Sequence, residues 1–571
     1  MKKDRIILQP DPESVKNLCL ALNCHPVIAT ILINRKILTA EDARCFLKAT
    51  LGRLRPPFTM KDVEKAVSRI IRAITHNEKM LIFGDYDADG ITATLVLYEF
   101  FKYARADVSY YIPHRIKEGY SLQARHIYDY AVPKKIDLII TVDCGSDSHD
   151  AVKAAGNAGI DVIVTDHHTL PGNLPPASAV VNPKRHDCTA GFEDLAGVGV
   201  AFNLLICIRK QLRNMGFWQD LPEFKLKDLC DLVAIGTVAD MVPLNNTNRI
   251  FTKAGLKVIN SVNRPGIKAL MKVAGIKGRQ ADAEDIAFRL APRLNAAGRV
   301  DHANTALELL LAENAESADR IARSLNNMNM NRRQTEKAML EYILDYLRKM
   351  PQLAKKACIV LSHREWHLGV LGIVASRLVK MFHRPVVLVS TKDNIGKGSA
   401  RSIPGFDLYE GLSACSDVLE KFGGHSMAAG LTIKTDKIDM FQSMLEKAVR
   451  EMTKPEDFMP VIPVDFVLDF ADIKDQLIDQ LETLKPFGVD ILEPVFIAKG
   501  IKVLSSKIVG KNHRRMLLTQ TTCKTDISFQ AIHFNIDQGI PWKDYYDEIA
   551  YKLRWNYWNG KKTAQIIIED M

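Results

Sequence analysis

With 571 residues, 47% of them hydrophobic and 25% charged, the chain has the balance of an ordinary globular protein. At ~100–200 residues per domain it holds about three or four domains, so core size is no constraint. Lys and Arg outnumber Asp and Glu by 77 to 67, a formal charge of +10, which suits a polyanionic partner as well as a merely solvated basic surface. The ten cysteines run from Cys19 to Cys523 with no C-x-x-C pair. That spacing excludes a zinc ribbon and a disulfide framework and points to a reducing cytoplasm. Residues 1–10 carry charge without a long apolar core, and no segment approaches ~18 uninterrupted apolar residues, so neither export nor membrane insertion is expected.

Residues 1–50 read as helical, with apolar positions at helical spacing over 27–33 and 40–47, forming a small accessory lobe. From residue 58 to about 200, apolar β-branched runs alternate with helical patterns, the signature of βαβ units and a parallel sheet. The run 79–84 passes straight into Asp85-Tyr86-Asp87-Ala88-Asp89-Gly90. In an extended segment alternate residues point to one side, so three carboxylates would face together, a concentration of charge that needs a cation. A calcium-binding helix-loop-helix shares the D-x-D-x-D-G opening. It requires a bidentate Glu at its twelfth position, where this chain has Val96.

The same grammar recurs. The run 136–142 ends in Asp143-Cys144-Gly145-Ser146, the run 161–165 in Asp166-His167-His168, and the segment 234–239 in Asp240. Ligand sites in open α/β sheets lie just beyond the C-terminal ends of strands, so these residues read as one polynuclear metal centre assembled from four loops. Two divalent ions ~3.5–4 Å apart with a shared carboxylate need about five to seven Asp and His ligands. Asp85, Asp87, Asp89, Asp143, His167, His168 and Asp240 supply that number, and carboxylates mixed with imidazole suit manganese or magnesium better than a structural zinc. Singly, each Asp reads as a turn or cap and the His pair as a solvated loop feature; their joint placement carries the inference.

Residues 200–312 are mostly helical, and 318–350, free of Gly and Pro, can run as one long helix serving as a linker or lid hinge. A second α/β unit follows over 355–452. Two small-residue stretches in it, 396–402 and 422–425, read as loops whose backbone N–H groups could approach phosphate, with Ser399 and Arg401 in one and Gly423, Gly424 and His425 in the other. Plain turns are the alternative reading of both. Arg293, Arg299 and Arg377 could extend the phosphate track. The last ~115 residues open on an extended, Pro-punctuated stretch and continue as short strands, which argues for a small barrel. Residues 499–571 hold 12 Lys and Arg against 7 Asp and Glu, with Trp542, Trp555 and Trp558 near Tyr545, Tyr546, Tyr551 and Tyr557. Cations interleaved with aromatics suit single-stranded nucleic acid, although any one ring is as readily barrel core.

These motifs resemble the DHH phosphoesterase superfamily, whose triplet is Asp166-His167-His168 here, and within it the RecJ-type single-strand-specific DNA exonucleases. The resemblance runs over essentially the whole chain. Residues 85–90, 143–146, 166–168 and 236–244 are similar to the four catalytic motifs, and 399–402 and 423–425 to the DHH-associated domain. Pro486-Phe487-Gly488 with Glu493-Pro494-Val495-Phe496 is similar to the family's entry into its OB-fold.

The resemblance implies an α/β protein with a helical lobe (1–50), a parallel-sheet DHH catalytic domain (51–317), a connecting helix (318–350), a second α/β DHH-associated domain (351–454) and a C-terminal β-barrel of OB type (455–571). It further implies a hydrolase using two Mn2+ or Mg2+ ions that degrades single-stranded DNA from the 5′ end to mononucleotides, in cytoplasmic DNA repair and recombination, beside a single-strand-binding protein and a helicase. The family's metal ligands map onto Asp87, Asp89, Asp143, His167 and Asp240, with Asp85, His168 and Asp166 as catalytic support. Its phosphate and backbone contacts map onto Ser399, Arg401, Gly424, His425, Arg115 and Arg293, to which the residues themselves add Arg299, Arg377, Gly423 and Trp555. One departure stands out: where the family commonly has an Arg pair and Gly-Tyr-Gly, this chain has His114-Arg115 and Gly119-Tyr120-Ser121, which leaves the detail of that loop open. A phosphodiesterase for short oligonucleotides would share the metal motifs without needing the basic barrel. A non-catalytic single-strand-binding scaffold would be expected to have lost some carboxylates, and all are present.

Overall fold

The computed structural model describes residues 3–170, 172–261, 263–510, 512–521, 527–536, 543–558 and 560–571; Trp542 lies outside them. The chain forms two compact units, one of Thr50–Val242 with Ile250–Phe458, the other of Lys2–Ala49 with Pro243–Arg249 and Met459–Met571.

The first unit is built on a five-stranded parallel sheet in the spatial order Val108–Tyr111, Met80–Gly84, Leu138–Val142, Asp161–Thr165, Ala179–Val181. Met80–Gly84 and Leu138–Val142 are buried at every position, which is why they read as continuous apolar runs rather than alternating ones. Strand order reverses between these two neighbours, and that crevice is where open α/β sheets place ligands. The register aligns Gly84 with Val142 and Val142 with Thr165, so the three strands end level and the next residues, Asp85, Asp143 and Asp166, emerge in a row.

Ala315–Lys349 is a single 35-residue helix whose Met339, Ile343 and Leu347 pack into a core with strands Ile359–His363 and Val386–Lys392. Those strands are parallel, and the sheet continues antiparallel through Ile395–Arg401, Ala428–Lys434 and Leu419–His425. The two glycine-containing stretches expected as loops are therefore strands. Their glycines answer to sheet packing: a Cβ at Gly396 would come 2.6 Å from Val389 Cγ1, and one at Gly398 2.9 Å from Leu431 Cδ1.

The second unit contains a closed barrel. Phe496–Val509, His513–Gln520, Ser528–His533, Lys561–Asp570 and Tyr545–Trp558 pair in that order, and the last pairs back onto the first. The pair Ser528–His533 with Lys561–Asp570 is parallel, the others antiparallel, which is OB-type closure. Helices Pro12–Leu22, Pro26–Asn34 and Ala40–Leu47 form the expected N-terminal lobe but are not independent: Leu18, Val27, Ile31 and Phe46 belong to one apolar core with barrel residues such as Phe496, Leu518 and Ile566. A strand unforeseen in the helical reading, Asp4–Ile7, pairs in parallel with Val461–Val464, and Arg5 reaches Asp570 at 2.9 Å and Glu548 at 2.8 Å.

Arg249 ties this unit together. It is 1% exposed, and its guanidinium donates to the carbonyls of Phe46 (2.8 Å), Pro486 (2.9 Å), Leu484 (2.7 Å) and Lys485 (2.9 Å) while stacking 3.5 Å from the Phe46 ring centroid. Burial pushes its pKa down to about 9, and among the described residues the cation is sustained by carbonyl dipoles. Arg249→Leu orphans several buried acceptors at ~1–3 kcal/mol each, and we expect a loss on the order of 3–5 kcal/mol in denaturant unfolding. A loss below ~1 kcal/mol would show that the carbonyls find other donors.

Candidate metal centre

The centre is assembled by helix ends as much as by strand ends. Asp87 is the N-cap of the helix Ala88–Tyr103, its Oδ1 accepting from the N–H of Asp89 (2.9 Å) and of Gly90 (3.1 Å). Only Asp85 thus follows the strand directly, and the three carboxylates converge through a helical turn, not through the alternation of an extended segment. Gly90 permits that tight entry, since a Cβ there would lie 2.6 Å from the Asp85 carbonyl oxygen. Asp89 is bound by a second helix N-terminus, Gly197–Asn214: Gly197 N–H donates to Oδ2 at 2.6 Å and Val198 N–H to Oδ1 at 2.9 Å. A Cβ on Gly197 would sit 2.7 Å from the Asp143 Cβ. Asp143 itself holds φ 61°, a left-handed backbone conformation uncommon for a residue other than glycine. Asp240, expected beyond a strand, is instead the C-cap of the helix Cys230–Ala239.

These elements bring seven side chains together. Oxygen or nitrogen atoms of Asp89, His167 and Asp240, of Asp85, Asp87 and Asp143, and of Asp143, His167 and His168 form three groups, within each of which all chosen atoms lie within 4.8 Å. His167 Nε2 stands 3.1 Å from Asp143 Oδ1, 3.5 Å from Asp240 Oδ2 and 3.9 Å from Asp89 Oδ2. Asp166 is occupied differently. Its Oδ1 accepts from the N–H groups of His167 (2.7 Å) and His168 (3.1 Å) and from His168 Nδ1 (2.8 Å), and its Oδ2 from Ser146 N–H (3.0 Å). With both oxygens engaged in hydrogen bonds, Asp166 orients the histidine pair.

Electrostatics sort the two imidazoles. Burial opposes a charge on His168, but the Asp166 hydrogen bond and the surrounding carboxylates outweigh it and raise its pKa to about 9. Burial and the neighbouring His168 charge lower His167 to about 3, leaving a neutral ring. Its Nε2 is buried without a hydrogen-bond partner among the described residues, as are Asp85 Oδ1 and Asp143 Oδ1. Burial first, and a neighbouring carboxylate second (Asp87 for Asp85 and Asp89, Asp89 for Asp143 and Asp240), push Asp85, Asp143 and Asp240 well above the usual carboxylate range and Asp89 to about 7. Orphaned acceptors, a neutral imidazole and carboxylates that cannot all ionise are what a divalent cation resolves, and hard oxygen donors with one imidazole fit Mn2+ or Mg2+.

Of the residues expected at the substrate, His425 lies with its ring 6.2 Å from that of His168 at an interplanar angle of 15°. Gly424, beside it, holds φ 145°, and a Cβ there would strike the Ala428 carbonyl oxygen at 2.4 Å; Gly423 faces open space. Arg401 bonds Ser399 Oγ at 3.2 Å and the Ala400 carbonyl at 2.7 Å. Its pKa is lowered by burial and then by the charge of Arg115, and that of Arg299 is lowered to about 9 by burial, Arg115 and Arg332. Arg115 stacks 4.8 Å from the Tyr86 ring centroid.

Others are engaged elsewhere. Arg377 Nε is paired with Glu336 at 2.6 Å, and Arg293 bonds Asn326 (3.0 Å) and the Arg289 carbonyl (2.6 Å). Trp555 packs on the barrel core, donates to Asp479 at 2.9 Å and carries Lys562 Nζ 4.0 Å from its ring centroid, while Tyr551 is fully buried with its hydroxyl on the Leu468 carbonyl. Three participants escaped the sequence reading: Gly197, Tyr120, whose hydroxyl donates to the Asp143 carbonyl at 3.2 Å, and Asn295, which accepts from Ala88 N–H at 2.7 Å. The small-residue run Ala196-Gly197-Val198-Gly199 opening a helix was the available signal for the first.

Because ligation requires ionised carboxylates, Mn2+ binding must expel the protons these acids retain. Titrating Mn2+ into chelator-treated protein near pH 7, in buffers of different ionisation enthalpy, is expected to release at least about one proton per chain, with affinity rising as pH climbs through the region of Asp89, about 7. Buffer-independent heats would refute this account of the cluster.

Sequence models of three domains match in order: the N-terminal domain of the DHH family over residues 79–237, the DHHA1 domain over 355–451 and the RecJ OB domain over 464–570. The single-stranded-DNA-specific exonuclease RecJ of Salmonella typhimurium is 35% identical over 586 residues, covering 100% of each chain. The crystal structure of RecJ from Thermus thermophilus in complex with Mn2+ superposes with a TM-score of 0.82 at 29% identity, covering 99% of this chain and 79% of that one. Its Mg2+ complex gives 0.77 at 28% identity, covering 99% and 78%. Identity sustained over both full lengths, with the acidic cluster other than Asp240 lying inside the DHH match, shows that the chain belongs to the RecJ family of single-stranded-DNA-specific exonucleases.

Proposed function

We propose that this protein hydrolyses the phosphodiester bonds of single-stranded DNA from the 5′ end, releasing mononucleotides, in DNA repair and recombination. The observation that carries the reading is the meeting, within one unit, of an acidic and imidazole cluster with arginines for which no ion pair is seen among the described residues: burial first, and then the charge of Arg115, lowers the basicity of Arg299 and Arg401, and Asp87 partly opposes this at Arg299. Such a cationic group next to a cation site awaits a polyanion that spans both. Asp87, Asp89, Asp143, His167 and Asp240 hold the ions, Mn2+ or Mg2+, which supply the Lewis acidity that phosphodiester hydrolysis needs at neutral pH. Asp85 supports them, and His168, kept charged by Asp166, offers positive charge beside the reacting phosphate. Arg401 with Ser399, Arg115, Arg299 and the strand end at Gly423, Gly424 and His425 receives the 5′-terminal phosphate. The barrel offers a binding surface for single strands through its exposed Tyr545 and Tyr557 and its basic residues.

A single-strand-binding protein and a helicase are the partners such an activity calls for. A reducing cytoplasm suits the nine free cysteines among the described residues, and no single helix among those residues is long and apolar enough to cross a membrane.

Asp143→Ala and His167→Ala are each expected to reduce turnover by several orders of magnitude while the fold persists, because removing one ligand disables the shared centre. Digesting 5′-labelled and 3′-labelled single strands with duplex controls, in Mn2+ and in Mg2+, tests activity and polarity together; release of the 3′ label first would reverse the proposed direction. Arg401→Lys loses the planar fork and is expected to raise KM roughly tenfold on 5′-phosphorylated strands, with a smaller change on 5′-hydroxyl strands. Equal losses on the two substrates would place Arg401 in the channel rather than at the strand's end.

A further inference from the structure

The loop that departs from the family pattern, residues 113–123, has a single organising group. Glu118 Oε1 accepts from His114 N–H at 3.1 Å, and Oε2 from the Tyr111 hydroxyl at 2.8 Å and His126 Nε2 at 3.1 Å. The His126 tautomer follows from its other nitrogen: Nδ1 accepts from Gln123 N–H at 3.0 Å, so Nε2 carries the hydrogen and donates. The Glu118 carbonyl takes a further bond from Gln123 Nε2 at 2.8 Å. Tyr111 ends the strand Val108–Tyr111, and Tyr111 and His126 pack with Phe83, a fully buried residue of the neighbouring strand, at ring separations of 5.6 and 5.0 Å. The carboxylate therefore fastens the loop to the sheet that carries the metal centre.

The loop presents two residues to that centre, on either side of Glu118. Arg115 lies over Tyr86, between Asp85 and Asp87 in the first acidic motif, and Tyr120 bonds the Asp143 carbonyl and stands 3.2 Å from His168 Nδ1. Beyond Tyr120, Ser121 occupies the position where the family commonly has glycine. It holds φ 68° and offsets that strained backbone by bonding Asp147 Oδ1 at 3.0 Å and Ser148 Oγ at 2.7 Å.

We infer that Glu118 is a positioning residue for the nuclease reaction, holding the loop so that Arg115 meets the substrate phosphate and Tyr120 braces Asp143 and His168. The inference rests on the function proposed above. It makes the affinity contributed by Arg115 conditional on a carboxylate that touches neither substrate nor metal.

The test is a cycle of Glu118→Gln and Arg115→Ala, singly and combined, read as KM and kcat on a 5′-phosphorylated oligonucleotide in Mn2+, as the Kd for the same oligonucleotide in chelator, and as the thermal midpoint. Glutamine matches glutamate in shape but turns an NH2 group towards donors. We expect E118Q to raise KM and Kd roughly tenfold with a near-unchanged midpoint, and to add little in the Arg115→Ala background. Unchanged KM and Kd in E118Q, or a full additional loss on top of Arg115→Ala, overturns the assignment. If E118Q does not fold, Tyr111→Phe removes one of the three carboxylate contacts and must weaken binding in the same direction; wild-type binding in that variant also overturns it. Failure of the wild-type chain to release nucleotides in the same assay would instead remove the nuclease reading itself.

Discussion

Crowding of buried acid governs the first unit. Asp85, Asp89 and Asp143 are each at most 5% exposed and lie with Asp87 and Asp240 around the His167–His168 pair, an arrangement no fold would retain on packing grounds. The surrounding backbone is shaped to permit it. Asp143 adopts left-handed φ, and Gly90, Gly197 and Gly236 stand where any side chain would displace Asp85, Asp143 or Asp89. Two helix N-termini, Ala88–Tyr103 and Gly197–Asn214, point at Asp87 and Asp89, so part of the negative charge is balanced by N–H dipoles before any ion arrives. The remainder requires cations, and the affinity for them is the counterpart of the strain.

Asp166 divides the labour of the histidines. By spending both oxygens on backbone N–H groups and on His168 Nδ1 it fixes one ring as a cation, and that cation in turn helps keep His167 neutral and fit to be a ligand. The adjacent triplet is thus one device with three roles. The same unit contributes the opposite polarity through Arg401 at the end of a mixed-sheet strand and Arg299 near the end of the helix Ala291–Val300, for neither of which an ion pair is seen among the described residues. Acid that lacks a cation beside base that lacks an anion describes a site for a metal-bound phosphodiester.

Much of this was legible in the sequence because the sheet is parallel and doubly covered. Fully buried strands leave unbroken apolar runs, their ends are marked by the first polar residue, and level register turns those marks into a cluster. The errors have physical causes as well. Asp87 and Asp89 follow a strand yet belong to a helix, since D-x-D-G satisfies an N-cap as readily as an extended turn. Asp240 ends a helix whose apolar composition imitates a strand, because that helix is buried all round. Gly396, Gly398 and Gly423 suggested phosphate loops, whereas they sit in strands, the first two pressed close to neighbouring side chains.

The second unit shows a limit of another kind, since local patterns cannot reveal which distant segments share a core. Helices near the N-terminus and strands more than four hundred residues later bury one set of apolar side chains, and Asp4–Ile7 finds its strand partner in Val461–Val464. Arg249 extends the same logic to polar groups. One guanidinium closes the hydrogen bonding of a helix end at Phe46 and of a turn at Leu484, Lys485 and Pro486, positions that no periodicity relates. Boundaries near residues 50 and 455 fall at edges of the two units, but the segments they set apart, Lys2–Ala49 and Met459–Met571, share a single hydrophobic core rather than folding separately. Removing residues 455–571 would expose the inner faces of the N-terminal helices, so the strand binding proposed for the barrel is better tested by substituting exposed Tyr545 and Tyr557 than by deleting the module.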